Sequence, residues 1–215
     1  MADPVKSKRR YDSTRRREQA AATRRDILDA AQRLFESQGY AATTMEAIAG
    51  EAGVALKTVY VAFETKSGLL RSLWNHLLRD GRDEVPVADQ PWYREVMQEQ
   101  DPERRLRLTA RNSRVVKLRI AGVLEVIRTA APLDPDIAAL WGRIQTEFHA
   151  NQRTIVASLD EDGALSVDVA RAADILWTLN HPSLWQLLVQ ERGWTPEQYE
   201  QWCADTACSQ LLRRH

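Results

Sequence analysis

AGVALKTVYVAFETKSGLL, residues 52–70, holds two helix-like runs, each too short to survive alone in water. Gly53 interrupts the first run and Thr65 precedes the next. Val59, Phe63, Leu69 and Leu70 have the spacing of buried positions, while Lys57, Thr58, Tyr60 and Lys66 fall between them. Short helices of this kind must be held by packing against a longer neighbour. Upstream, a helix expected from about Arg16 to Ser37 carries Ile27, Ala30, Ala31, Leu34 and Phe35 on one face, and Gly39 closes it. A second helix is expected over about Met45 to Glu51, with Thr43 and Glu46 at the spacing of a capping box. A third covers about Leu56 to Phe63. Ile48, Ala49, Ala52, Val54, Val59 and Phe63 supply the packing, and Gly53 supports the tight turn between the two short helices.

The unit is therefore a helix-turn-helix, whose second member fits the major groove of duplex DNA. With Val59 and Phe63 inward, Leu56, Lys57, Thr58, Tyr60 and Val61 face out. Lys57 can donate to guanine or phosphate, Leu56 and Val61 can meet thymine methyls, and the Thr58 and Tyr60 hydroxyls suit base edges or phosphate oxygens. Lys66 opens the next helix, where a positive charge beside free backbone N–H groups makes a phosphate site. Charge distribution agrees with this. The 215-residue chain is neutral, with 30 Lys and Arg against 30 Asp and Glu. Up to residue 80, however, 14 basic residues face 10 acidic ones, and the remainder is correspondingly acidic.

Beyond the quoted stretch, a fourth helix after Thr65 carries Leu69, Leu70, Leu73, Trp74, Leu77 and Leu78 as its apolar stripe. DGRDEVPVADQPW (80–92) then reads as a boundary. Asp101-Pro102, Asp134-Pro135 and Thr195-Pro196 each start a helix with a cap followed by proline; these run to about Ala131, Leu159 and Leu212. The first is a candidate for interruption near Ala121-Gly122. A further helix is expected over about Val167 to Glu191, broken at Asn180-His181-Pro182, with Ser183 capping its restart through Gln186. The expected fold class is all-α: an N-terminal three-helix helix-turn-helix domain followed by a larger helical domain. In numbers, residues 1–20 form a basic, flexible arm, 21–66 the helix-turn-helix, 67–82 a connecting helix, and 83–215 the body.

The stretch TTMEAIAGEAGVALKTVYVAFETKSGLL (43–70) resembles the signature of the TetR family of bacterial transcriptional regulators. The resemblance is carried by Thr44, Ile48-Ala49, Ala52-Gly53-Val54, Thr58-Val59-Tyr60, Phe63, Lys66 and Leu69-Leu70, and ILDAAQRLFESQGYAATT (27–44) resembles the family's first helix. It is strong over about residues 22 to 75. It implies that Thr44, Tyr60 and Lys66 hold phosphates while Leu56, Lys57, Thr58 and Val61 face bases. Ala55 and Ala62 depart from the family pattern, so no role is carried onto them. The resemblance further implies a homodimer on a palindromic operator, repression as the default, and a small-molecule effector bound by the body. VLEVIRTAA and LLVQERGWTPEQYEQWCADT are similar to one actinobacterial-type branch.

Two roles for the body also follow from its own residues. The last two helices offer Ile175, Leu176, Leu179, Leu184, Leu187 and Leu188, then Tyr199, Trp202 and Leu211, as a four-helix dimer interface. The middle helices mix aromatics with polar groups, as a ligand pocket does: Trp92, Asn112, Trp141, Gln145, His149, Trp177 and Asn180, with Trp141, Gln145 and His149 at i, i+4 and i+8. Arg119, Glu125 and Arg128 are expected to be exposed or paired with one another. A ligand-independent or architectural DNA-binding protein is the alternative.

An enzyme is disfavoured. The four histidines make no metal spacing, and no phosphate loop or nucleophile motif is present, so neither metal nor cofactor is expected. Cys203 and Cys208 are the only cysteines and suit a reducing compartment. With no apolar run of membrane length and no apolar core behind the basic start, a cytoplasmic protein without a membrane partner is expected.

Overall fold

The computed structural model describes residues 5–82, 85–161 and 163–213, with residues 5–14 as backbone only. These form helices and turns without a strand, apart from one isolated bridge between Leu165 and Leu212. The chain divides into two compact units, one ending at Leu73 and one beginning at Trp74.

In the first unit, α1 (Val5–Ala42) begins well before Arg16, the start expected from the sequence. No proline or glycine stops it, and its Arg, Ala, Glu and Gln residues propagate a helix readily. The side chains of Lys6, Lys8, Arg9 and Arg10 lie outside the described residues. Gly39, at φ 79° and ψ 172°, breaks the helical path of α1 where the sequence expects closure. Ile27, Ala30, Ala31 and Phe35 are fully buried and Leu28 joins them, while Leu34 is only half-buried. Packed against them are Ile48 and Ala49 of α2 (Met45–Glu51) and Val59 and Phe63 of α3 (Leu56–Phe63). Ala52 and Val54 stay half-buried.

The expected capping box is corrected by one residue. Thr44 caps α2, its hydroxyl oxygen accepting from Ala47 N at 3.1 Å. Thr43 is buried and donates to the Gly39 carbonyl at 2.8 Å, so it is tied to the end of α1 and not to α2. Gly53 turns the chain at φ 67°, and Val54 N reaches back to Ala49 O at 3.0 Å.

The corner into α4 (Lys66–Leu78) is tighter. Glu64 has φ 62°, and the Thr65 hydroxyl accepts from Gly68 N at 2.9 Å. A β-carbon on Gly68 would lie 2.6 Å from the Phe63 carbonyl oxygen and 3.0 Å from Thr65 Oγ1. Alanine is ordinarily the better helix former by about 1 kcal/mol. Here the clash reverses that preference: Gly68→Ala is expected to lower stability by roughly 1–3 kcal/mol in denaturant unfolding. A stabilised variant would show that the corner yields freely.

The second unit contains α5 (Pro91–Gln98), α6 (Pro102–Ala130), α7 (Pro135–Glu161), α8 (Val169–Leu179), α9 (Pro182–Trp185) and α10 (Pro196–Leu211). Short 3₁₀ turns lie at Val87–Asp89 and Ala131–Leu133. The three cap-and-proline starts hold. Asp101 Oδ1 accepts from Arg104 N at 2.7 Å, Asp134 Oδ1 from Asp136 N at 2.9 Å, and Thr195 and Gln198 form a complete capping box.

Three expectations are corrected. α6 passes through Ala121-Gly122 unbroken, because buried Ile120, Val123, Leu124 and Ile127 outweigh one glycine. The chain breaks before Pro182 as expected, yet His181 and not Ser183 caps the restart, its Nδ1 accepting from Ser183 N at 3.2 Å. That restart soon widens into a π-helical segment, Gln186–Glu191. α5, finally, lies in a stretch where no helix was expected, with Tyr93 and Val96 buried.

Much of the apolar surface assigned to a dimer interface completes the core of the chain. Leu176, Leu179, Tyr199 and Leu211 are buried, and the Tyr199 hydroxyl donates to the Leu179 carbonyl at 2.8 Å. Leu187 is exposed, while Ile175, Leu184, Leu188 and Trp202 are half-buried.

Candidate functional site

On the helix-turn-helix, burying Val59 and Phe63 turns the opposite face of α3 outward. Lys57 is exposed, Tyr60 is 44 % exposed and Val61 76 %, with Leu56 and Thr58 half-buried beside them. A cation, a phenol and an uncovered valine on a helix of eight residues give the mixture of donor and methyl contacts that base edges require. No side chain caps α3 at Ala55, and of its first-turn N–H groups that of Thr58 donates to the Ala55 carbonyl at 2.8 Å. Thr44 is exposed, and capping α2 uses its oxygen while leaving its O–H available to an acceptor.

Lys66 is arranged differently from the outward cation expected at a phosphate site. Its Nζ donates to the carbonyls of Tyr40 at 2.8 Å and Thr43 at 3.0 Å, and sits 4.2 Å from the centre of the Tyr40 ring. It therefore ties the start of α4 to the α1–α2 junction. Arg24, which the sequence did not single out, does the same for α3. It donates to Ala62 O at 2.9 Å and lies 4.2 Å over the Phe63 ring. Lys66→Met is expected to cost roughly 1–3 kcal/mol in denaturant unfolding, since two charge-assisted hydrogen bonds are lost. A purely phosphate-binding lysine would leave stability unchanged.

The second unit contains a cavity of about 140 Å³. Its wall is mostly apolar: Trp74 and Leu78 from α4, Ile120 and Leu124 from α6, and Ile144 and Phe148 from α7 are representative. Four of the seven ligand-site residues inferred from sequence line it, namely Trp92, Asn112, Gln145 and Asn180. The other three do not. Trp141 borders a separate small recess with Trp185 and Gln186. His149 pairs with Asp174 at 2.9 Å on the exposed side of α7, and Trp177 lies between the His149 and His181 rings. The i, i+4, i+8 stripe was out of phase: the face of α7 toward the cavity runs through Ile144, Phe148, Gln152 and Ile155. Among the charged residues, Arg128 pairs with Glu125 at 2.6 Å as expected, whereas Arg119 pairs with Asp80 at 3.1 Å.

Lys117 is the cavity residue that the sequence reading missed. It is 4 % exposed, donates to Ser113 Oγ, and lies 5.2 Å from the centre of the Tyr199 ring. No carboxylate pairs with it among the described residues. Burial pushes its amine down to about 7, only weakly opposed by the Cys203 thiol. Burial and the nearby Lys117 charge also lower His181. A phase argument could have found this lysine, because Ala110, Lys117 and Leu124 recur every seven residues on the buried stripe of α6.

Residues 27–73 match the model of the bacterial regulatory proteins of the tetR family. That segment is a TetR-family DNA-binding domain. The chain is 41 % identical over 58 residues to the HTH-type transcriptional regulator AcrR of Shigella flexneri, a match spanning 27 % of each chain. To the "Probable HTH-type transcriptional regulator ArpR" of Pseudomonas putida it is 29 % identical over 167 residues, covering 74 % of this chain and 77 % of that protein. The fold resembles that of NalD, the secondary repressor of the MexAB-OprM multidrug efflux pump of Pseudomonas aeruginosa. The TM-score is 0.70 at 22 % identity, over 91 % of this chain and 100 % of NalD. With this helix-turn-helix DNA-binding domain the chain is a TetR-like transcriptional regulator. No helix among its described residues is long and apolar enough to cross a membrane.

Proposed function

We propose that the chain is a repressor that binds a palindromic operator as a homodimer and leaves it when a small molecule occupies the cavity of the second unit. The observation that carries this is the cavity itself. It is apolar and lined by Trp74 and Leu78 of α4, the helix that directly follows the recognition helix α3 in the chain. A ligand filling it acts on the far end of α4, and any preference for one position of that helix changes the spacing of two recognition helices in a dimer. Such a dimer places its recognition helices about 34–36 Å apart, or a multiple of that. The candidate pairing surface is the outer face of the C-terminal segments, where Leu187 is exposed and Ile175, Leu184 and Trp202 are half-buried. Lys57, Tyr60 and Val61 read the groove, with Leu56 and Thr58 flanking them and Thr44 reaching a phosphate.

A thermal-shift screen of lipophilic, aromatic, acidic and cationic compounds tests the sensor role. A ligand at a hundred times its dissociation constant adds about 2.7 kcal/mol, or roughly 5–10 °C in a chain of this size. The expected hit also releases the protein from duplex DNA. Hits that leave DNA binding intact would separate the cavity from regulation.

A further inference from the structure

Given the sensor role proposed above, we infer that the cavity is built for an apolar monocarboxylate of about the size of phenylacetate, its acid group meeting Lys117. Three features of the wall support this assignment. The first is charge: Lys117 is buried, has one hydrogen bond, to Ser113 of its own helix, and faces no paired carboxylate among the described residues. A buried ammonium of this kind is costly until an anion or a proton loss relieves it.

The second is an excess of donors. Trp92 Nε1 and Gln145 Nε2, both on the cavity wall, are buried without a partner. The orientation of the Gln145 amide is fixed by its neighbour. His181 Nδ1 accepts from Ser183 N, so the ring proton sits on Nε2 and donates to Gln145 Oε1 at 3.1 Å, leaving the amide nitrogen unmatched. Against these donors stands one unmatched acceptor on the wall, Asn180 Oδ1. Acceptor-rich chemistry is what this wall lacks.

The third is size and valence. About 140 Å³ holds a benzene-sized body. With Lys117 the only cation in the lining and Glu147 also part of it, the site suits a single negative charge, not a phosphate dianion.

A matched series tests this on the full chain: phenylacetate, phenylacetamide and phenethylamine, titrated by ligand-observed NMR against wild type and Lys117→Met. Wild type is expected to bind phenylacetate at least about tenfold more tightly than the amide, and phenethylamine most weakly. Lys117→Met is expected to lose that preference while keeping its affinity for phenylacetamide within about twofold, which also shows that the variant is folded. Lys117→Gln repeats the test with a polar neutral side chain. Equal binding of acid and amide by wild type, a preference for the amine, or an acid preference that survives both variants overturns the assignment to Lys117 and leaves the sensor role standing. Failure of all three probes overturns the assignment; only a diverse screen that also finds nothing removes the sensor role with it.

Discussion

Lys57→Ala is expected to weaken binding to the operator by at least about thirtyfold. Loss of one base-edge or phosphate contact costs roughly 1–3 kcal/mol, and a homodimer loses it twice. The side chain is exposed on the outward face of α3, so its removal leaves the fold intact within about 0.5 kcal/mol. A second readout separates the two possible contacts. If Lys57 meets phosphate, the slope of log affinity against log salt becomes shallower by about one per lysine. If it meets guanine, discrimination at one base pair in each half-site relaxes. Unchanged affinity would move the recognition surface elsewhere.

Lys117→Met is expected to stabilise the protein, and to do so in a pH-dependent way. Burial holds the lysine at about 7 in the folded chain, against 10.5 for an unhindered lysine. Between these values the unfolded chain binds more protons than the folded one, so the stability of the wild type rises with pH across that interval. Below about pH 7 the penalty is complete, and above about 10.5 it is gone. The difference of 3.5 units corresponds to a few kcal/mol, at most about 5, at 1.36 kcal/mol per unit. Methionine keeps the length of the chain and lacks the charge. The groups that share this region are Ser113, Tyr199, Cys203, His181 and Glu147. Burial raises the Tyr199 hydroxyl and the Cys203 thiol, and burial together with the Lys117 charge lowers His181. Melts at pH 6.5 and pH 10 should show the variant well above wild type at the lower pH and close to it at the higher. A variant less stable at pH 6.5 would mean that Lys117 is satisfied by a partner and is not an unrelieved charge. Retention of a costly buried cation is understandable where function needs it, since binding sites commonly trade stability for recognition.

The helix-turn-helix was legible because its determinants are local. α2 and α3 were placed at Met45–Glu51 and Leu56–Phe63 from hydrophobic spacing and one glycine. Proline after a capping residue likewise marked three helix starts in the second unit, at Pro102, Pro135 and Pro196. What escaped depends on which of two adjacent residues turns inward. Thr43 and Thr44 are chemically equivalent in sequence, and only the end of α1 decides which one caps. Lys66 reads as a phosphate ligand until the carbonyls of Tyr40 and Thr43 are placed around its amine. In the cavity the stripe expected on α7 runs one residue out of phase, so His149 stands beside Phe148 and outside the lining, and Trp141 faces a separate recess. Lys117 was passed over because a lysine inside a helix normally marks its solvated face.

The most direct test of the central claim is selection of binding sites by the full chain from a pool of random duplex DNA at about 150 mM salt, with Lys57→Ala selected in parallel. Wild type should enrich a two-fold symmetric sequence whose half-sites are about one helical turn or a multiple apart, and Lys57→Ala should fail to enrich it. A wild-type pool without any enriched sequence, despite strong salt-dependent binding, would contradict the account and identify a DNA-binding protein that does not read sequence.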